Sequence, residues 1–367
     1  MKRRFKTLGV LLVLFALMIN MSPAQTIEER IQSMVSTNAE LYVTPLVTAF
    51  GSGLNSGWFH SAKPHKLFGF DIGLRAMAVT FPKDQQSFNF DVSGLELNKT
   101  IDGYPITLNG EDLYPNREVP TFFGSEEEGV IEPAAEDVIV GLIEEQLLEQ
   151  GVSQTVISQP DFQSNLSSIA GSVPAVYTPP GTGMDFLPLI VPQVALGLSL
   201  PMLPIKAEIV ARGIPEIEVS DEIGKFNFYG GGAKLALDPF IPIPMFPVDI
   251  AVGAYFQKMT LGKVFESNHS LLSLQAGKEL NMLVFAVGVY GGIGLESSNV
   301  KVKYTYMNEN DPHDVLNGSE IKFDMKGENK FRTTVGARVR LAVINVSADY
   351  SMGADNILTI GAGFSIR

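Results

Sequence analysis

The stretch FRTTVGARVRLAV at 331–343 is followed at once by INVSADYSM at 344–352 and then by LTIGAGFSIR at 358–367. In the first, Thr333, Val335, Ala337, Val339, Leu341 and Val343 share one side of a two-residue alternation, against Thr334, Gly336, Arg338 and Arg340. In the second, Ile344, Val346, Ala348, Tyr350 and Met352 oppose Asn345, Ser347, Asp349 and Ser351. The third sets Leu358, Ile360, Ala362, Phe364 and Ile366 against Thr359, Gly361, Gly363, Ser365 and Arg367. A period of two places alternate side chains on opposite faces of a strand. The outward face of a soluble sandwich normally carries Lys and Glu, which keep it soluble and protect its edges. Here the counter-face is Gly, Ser, Asn and Thr with isolated Arg and Asp, which suits a lumen where several strands converge. The apolar face is then turned to lipid.

The same alternation recurs upstream. Phe68, Phe70, Ile72, Leu74, Ala76 and Ala78 oppose Gly69, Asp71, Gly73 and Arg75. Further segments fall at 87–95, 193–213, 225–237, 248–261, 268–278, 281–296, 299–307 and 319–327. The most apolar runs cannot be spanning helices: Phe186–Leu203 is broken by Pro188, Pro192 and Pro201, and Met282–Leu295 is short and contains four glycines. Barrel strands need only about 9–11 residues each. Tight connections (Lys278–Leu280) alternate with longer polar ones (Asn308–Ser319), as at the two ends of an outer-membrane barrel. The expected fold is all-β, an antiparallel transmembrane barrel of about 12–16 strands. A secreted soluble β protein is the alternative at this stage.

Composition narrows the chemistry. Only 18% of the 367 residues are charged, against about 25% in ordinary soluble domains, and 45% are hydrophobic. The absence of Cys excludes disulfide frameworks, thiolate zinc sites, iron–sulfur clusters and cysteine nucleophiles together. Residues 1–24 have the form of a signal peptide: Lys2, Arg3, Arg4 and Lys6, then the apolar run Leu8–Ile19, then Ser22-Pro23-Ala24. Removing its four cationic residues, and no acidic one, takes the formal charge from −13 to −17. That charge excludes nucleic acid as a partner. The expected location is the cell outer membrane.

Two regions depart from strand texture. Residues 25–62 are expected to form a short helix (Gln25–Ala39) and a plug-like hatch holding Asn55, Trp58 and Phe59, with the protein's only Trp. Within the barrel region at 63–367, an insertion over 110–185 carries the acidic run Glu126–Glu128 and a helix around 134–150 with the stripe Ile139, Leu142, Ile143 and Leu147.

No catalytic motif stands out. His60, His65, His269 and His313 form no HExxH pair and are expected at the surface or in turns. Gly51-Ser52-Gly53 and Gly230–Gly232 lack the strand–GxGxxG–helix context, so close backbone approach explains them. The oxygen-rich 308–314 loop lacks the central Gly and terminal Glu of an EF-hand. The inward charges carry more weight. Asp71, Arg75, Arg212, Arg338, Arg340 and Asp349 are expected in the lumen, as are Lys206 and Glu208. They either pair with one another and stiffen the barrel or offer arginines to an anionic head group.

The segment Tyr42–Leu74, with GSGLNSGWF (51–59) and KPHKLFGFDIGLR (63–75), resembles an uncharacterised family of Bacteroidota-type outer-membrane barrels. LPLIVPQVALGL (187–198), the glycine triplet and PVDIAVGAYF (247–256) are similar to the same family. The chain is also distantly similar to the FadL-type transporters of hydrophobic compounds, in which an N-terminal segment folds into the lumen as a hatch. It lacks their Asn-Pro-Ala signature and ends in Phe364-Ser-Ile-Arg367 rather than a terminal aromatic. The expectation is a monomeric, non-catalytic barrel in outer-membrane lipid, with no cofactor and no metal. It would pass small hydrophobic or amphipathic molecules. The alternatives are a structural or adhesive barrel with a sealed lumen and, behind it, a lipid-acting barrel enzyme.

Overall fold

The computed structural model describes residues 36–198, 205–220, 224–241, 247–263, 265–282, 284–305 and 320–366. The leader at 1–24, the expected helix at 25–39 up to its last turn, and the loop at 308–314 with His313 lie outside these residues. The chain divides into two compact units. One gathers Leu46–Pro82 and Met184–Arg367, the other Lys83–Gly183 with the chain up to Pro45. Helix α1 (Ser36–Leu54) runs from the second unit into the first, with Pro45 inside it.

After β1 (Phe70–Thr80) come the six short strands of the second unit: β2 (Ser87–Asn89), β3 (Glu96–Ile101), β4 (Tyr104–Asn109), β5 (Glu118–Pro120), β6 (Gly129–Ile131) and β7 (Val176–Thr178). They pair as β2–β5, β3–β4 and β6–β7. The unit takes in both the strand read at 87–95 and the insertion read over 110–185. Its helix α2 (Glu136–Glu149) buries the stripe Ile139, Ile143 and Leu147 and packs on α3 (Pro160–Ala170), which buries Leu166 and Ala170. The Gln146 side chain bonds both the N–H (3.1 Å) and the carbonyl (2.7 Å) of Thr107, tying α2 to the β4 edge.

The chain then builds β8 (Phe186–Gly197), β9 (Ala207–Ser220), β10 (Gly224–Ala236), β11 (Asp249–Leu261), β12 (Phe265–Asn281), β13 (Phe285–Thr305), β14 (Glu320–Lys326), β15 (Phe331–Leu341), β16 (Ile344–Met352) and β17 (Asn356–Ile366). Each pairs antiparallel with its neighbour in a ring that closes where β1 meets β17, from Phe70 opposite Ile366 to Thr80 opposite Asn356. Strands β14 and β15 lie end to end along β13, against Asn299–Thr305 and Phe285–Leu295 respectively, and fill one position. The result is a closed barrel of ten strands, fewer than the expected 12–16.

The difference has a physical cause. The segments read at 281–296 and 299–307 are the single long strand β13, whose outward face changes from Val289, Ile293 and Leu295 to Ser297 and Lys301 as it leaves the apolar band. The change in polarity marks the edge of the band rather than a break in the strand. The segments at 319–327 and 331–343 share one position, and 193–213 holds parts of β8 and β9.

The alternation itself holds. Ile72, Leu74, Val194, Phe256, Val289, Val335, Ile360 and Phe364 are exposed on the outside, while Asp71, Arg75, Asn345, Ser347, Asp349 and Thr359 are buried inside. An outer surface of this composition is stable against hydrocarbon and not against water. Among the described residues no helix is long and apolar enough to cross a membrane.

Candidate functional site in the threaded lumen

The barrel has two mouths. Strand β1 rises from a lower mouth at Phe70, with the turn at 341–344, to an upper mouth at Thr80, with the turn at 352–356. Residues 46–66 run through the lumen from the upper to the lower mouth. Near the top, Phe50 meets Phe265 and His269 edge-on at 6.1 and 5.9 Å. Near the bottom, His65 bonds the Glu208 carboxylate through Nδ1 and the Ser365 hydroxyl through Nε2 (3.1 Å).

This thread is held mainly by its carbonyls. Helix α1 ends at Leu54, which leaves its last carbonyl groups without intrahelical donors. Arg332 donates to Ser52 O (2.6 Å) and Arg212 to Leu54 O (2.9 Å) and, just beyond, to Ser56 O (2.7 Å). Arg332 also reaches the Ser56 hydroxyl. A helix C-terminus carries partial negative charge, so two guanidinium groups there are electrostatically favourable. Farther down, Gln193 donates to Trp58 O (3.3 Å) and Lys234 to Ser61 O (3.0 Å). Trp58 lies between the Arg212 guanidinium, 3.9 Å from its ring, and Tyr255, stacked at 4.8 Å. Phe59 sets its ring edge-on to Tyr290 at 5.9 Å. Asn55 is buried beside Ser297.

Two glycines make the threading possible. A Cβ on Gly51 would sit 2.3 Å from Ser298 Oγ, so only glycine lets α1 lie this close to β13. Gly57 has φ +67°, a left-handed conformation that turns the chain between Ser56 and Trp58.

The six residues expected in the lumen divide as follows. Asp71 and Arg75 pair at 2.9 Å, and Arg75 also bonds His60 Nδ1 at 2.9 Å. Arg338 bonds Asn345 and, at 3.0 Å, Ser365, and lies 3.4 Å from Glu279; Asn345 in turn donates to Asp71 (3.0 Å). Asp349 accepts from the Tyr290 hydroxyl at 3.0 Å. His60, Arg75, Asp71, Asn345, Arg338 and Ser365 form one connected wall network, and Asp349 and Tyr290 form a separate pair. Arg212 stands apart from both: among the described residues it contacts no carboxylate and spends its donors on Gln193 (2.7 Å) and the thread. Arg340 is half-buried at the lower mouth, bonded to Ala342 O and Asn281.

Several expectations need correction. His60, His65 and His269 are buried rather than in surface turns, because the thread and the wall enclose them. Lys206 is exposed and pairs with Asp238 at 2.9 Å, since it precedes β9 and lies at the lower mouth. Arg332, Glu296, Lys234, Tyr255 and Tyr290 were not singled out, although all are buried inside. For Arg332 the signal was available: it continues the inward alternation of Thr334, Gly336 and Arg338 by one step.

The interior has a second apolar part besides the cluster of Trp58, Phe59, Tyr255, Leu271 and Tyr290. Near the upper mouth, Phe50 and Leu54 of α1 face Leu189, Val191, Phe226, Phe228 and Met259 of the wall around a cavity of about 20 Å³. No charged side chain lines it. Among the described residues no group of three or more His, Asp or Glu side chains is arranged to hold a metal ion.

No curated protein matches the chain. Among solved structures, the β domain of the Bordetella autotransporter BrkA is similar at 10% identity, over 49% of this chain and 91% of its own, with a TM-score of 0.20. A family model matches residues 1–366, and the chain accordingly belongs to the family of unknown function DUF6588.

Proposed function

We propose that the protein is a non-catalytic outer-membrane barrel that takes up small hydrophobic or amphipathic molecules, its lumen closed to water-soluble solutes by its own N-terminal thread. The observation that carries the reading is the apolar pocket at the upper mouth, which no charged side chain lines. Its lining is that of a site for small apolar ligands. The lumen arginines are committed to the wall network or to the thread, so they support a structural role over an anionic-ligand site.

Two measurements on the purified protein in phosphatidylcholine vesicles test this. Diphenylhexatriene should bind saturably, and swelling in small sugars should show no aqueous conductance. Absence of saturable binding would remove the reading. A second reading, a structural barrel with a sealed lumen, is favoured by the number of bonds that hold residues 52–65. It expects neither binding nor conductance. A lipid hydrolase is less well supported: the His65–Ser365 and His269–Ser298 pairs exist, at 3.1 and 3.0 Å, but all four side chains are buried.

A further inference from the structure

Directly below the pocket the wall turns polar for a short step. On β11 the inward side chains run Tyr255, Gln257 and Met259, and on β12 they run Leu271, His269 and Ser267, all buried. The register sets Tyr255 opposite Leu271, Gln257 opposite His269 and Met259 opposite Ser267. Tyr255 and Leu271 belong to the apolar cluster around Trp58, and Met259 lines the pocket. Gln257, His269 and Ser267 are therefore a polar step between two apolar layers. Phe50 of α1, itself a pocket residue, meets the His269 ring edge-on at 5.9 Å, which brings the helix side of the pocket to the same level.

These three side chains do not serve one another. Among the described residues, neither the amide nitrogen nor the amide oxygen of Gln257 has a hydrogen-bond partner, and nor has Ser267 Oγ or His269 Nε2. No other buried amide side chain among the described residues leaves both its atoms unpartnered. Gln257 is 4% exposed, His269 3% and Ser267 0%. His269 Nδ1 bonds the Ser298 hydroxyl at 3.0 Å, which orients the ring and leaves Nε2 for something else. Polar groups buried without partners are costly, and a set of them beside a cavity calls for an occupant that supplies the missing bonds.

The chemistry of that occupant follows from the set. Gln257 offers both a donor and an acceptor, Ser267 can act as either, and His269 Nε2 takes either role according to its tautomer. A carboxylate or an ammonium group would find no counter-charge: no charged side chain lines the pocket, and the inward Glu296 of β13 is matched by Arg332 at 3.0 Å. Side chains opposite one another across a rung lie about 4.5–5.5 Å apart and diagonal ones about 7–8 Å, so one small group can bond more than one of the three. An uncharged hydroxyl, which both donates and accepts, fits this set. The cavity of about 20 Å³ has room for a group of that size.

We infer that Gln257, Ser267 and His269 form the head-group site of the pocket, and that it selects an uncharged, hydroxyl-bearing amphipath (an aliphatic alcohol) over a hydrocarbon of equal length. The inference rests on the pocket reading above and adds the chemical class of the ligand.

Competition with diphenylhexatriene in phosphatidylcholine vesicles tests it, read by recovery of the fluorescence of Trp58, the only tryptophan. The competitors are n-hexanol and n-heptane, which have equal numbers of heavy atoms, and hexanoate. Each is compared between wild type and variant, so its partitioning into the bilayer cancels. In Gln257→Leu/Ser267→Ala the ratio of the hexanol to the heptane inhibition constant should rise about tenfold over wild type, as loss of two neutral hydrogen bonds predicts. Ser267→Ala alone should raise the ratio about threefold, which keeps the site open to refutation where the double variant does not assemble. If the ratio is unchanged in the assembled variants, the head-group site is refuted while the pocket reading stands. A larger loss for hexanoate than for hexanol would assign the step to an anion and overturn the proposal. If wild type shows no saturable probe binding, the pocket reading itself fails, and the head-group site with it.

Discussion

Arg212 makes the strongest test of the threaded lumen, because its guanidinium is committed to the thread and among the described residues touches no carboxylate. It donates to Leu54 O at 2.9 Å, Ser56 O at 2.7 Å and Gln193 Oε1 at 2.7 Å, and covers the Trp58 ring at 3.9 Å. Hydrogen bonds to a charged group contribute about 1.5–3 kcal/mol each, and a desolvated cation–π contact about 2 kcal/mol. These terms do not add; each of the three buried acceptors left without its donor costs about 1–3 kcal/mol, which puts the loss at about 3–5 kcal/mol for the group. Applied to the seated thread, Arg212→Ala should shift the seated-to-released equilibrium by roughly two to three and a half orders of magnitude, at 1.4 kcal/mol per decade. Single-channel recording in planar bilayers reads this directly: wild type should stay closed, and Arg212→Ala should show discrete openings. Arg212→Lys keeps the charge but loses the planar fork and should lie between them. Heat-modifiable migration on gels shows that the barrel is assembled in each variant. If Arg212→Ala is assembled and as silent as wild type, and protease cuts its 51–66 segment no faster, the thread is not held by this clamp and the reasoning is wrong.

Other expectations concern the wall, the pocket and the location. Val289, 62% exposed at mid-strand, should face hydrocarbon, so Val289→Lys should destabilise the barrel by about 2–4 kcal/mol in urea titrations in vesicles; an unchanged midpoint would place that face elsewhere. Phe228→Ala removes one wall of the pocket and should weaken diphenylhexatriene binding about tenfold, with unfolding in urea showing a core-truncation cost of about 3–5 kcal/mol; wild-type affinity would move the site away from Phe228. Gly51→Val should prevent α1 from seating against Ser298, giving openings like those of Arg212→Ala in an assembled barrel, and continued closure would contradict the close approach. Cell fractionation should find the protein in detergent-extractable outer membrane, and recovery in the soluble fraction would end the membrane reading.

The barrel was legible because alternation is a local property. In β15, β16 and β17 every outward and inward assignment follows from a period of two and needs no knowledge of the partner strand. The strand count was less legible, since β13 changes its outward polarity at Ser297 without ending, and a sequence reader sees two strands. The lumen residues Asp71, Arg75, Arg338 and Asp349 were found by parity alone, but what they touch was not. The pairing of Arg75 with His60 and of Arg338 with Glu279 depends on a thread and a hairpin turn remote in sequence. His65 shows the limit most clearly: its partners Glu208 and Ser365 lie 143 and 300 residues away, and its short polar neighbourhood, KPHK, looks like a turn.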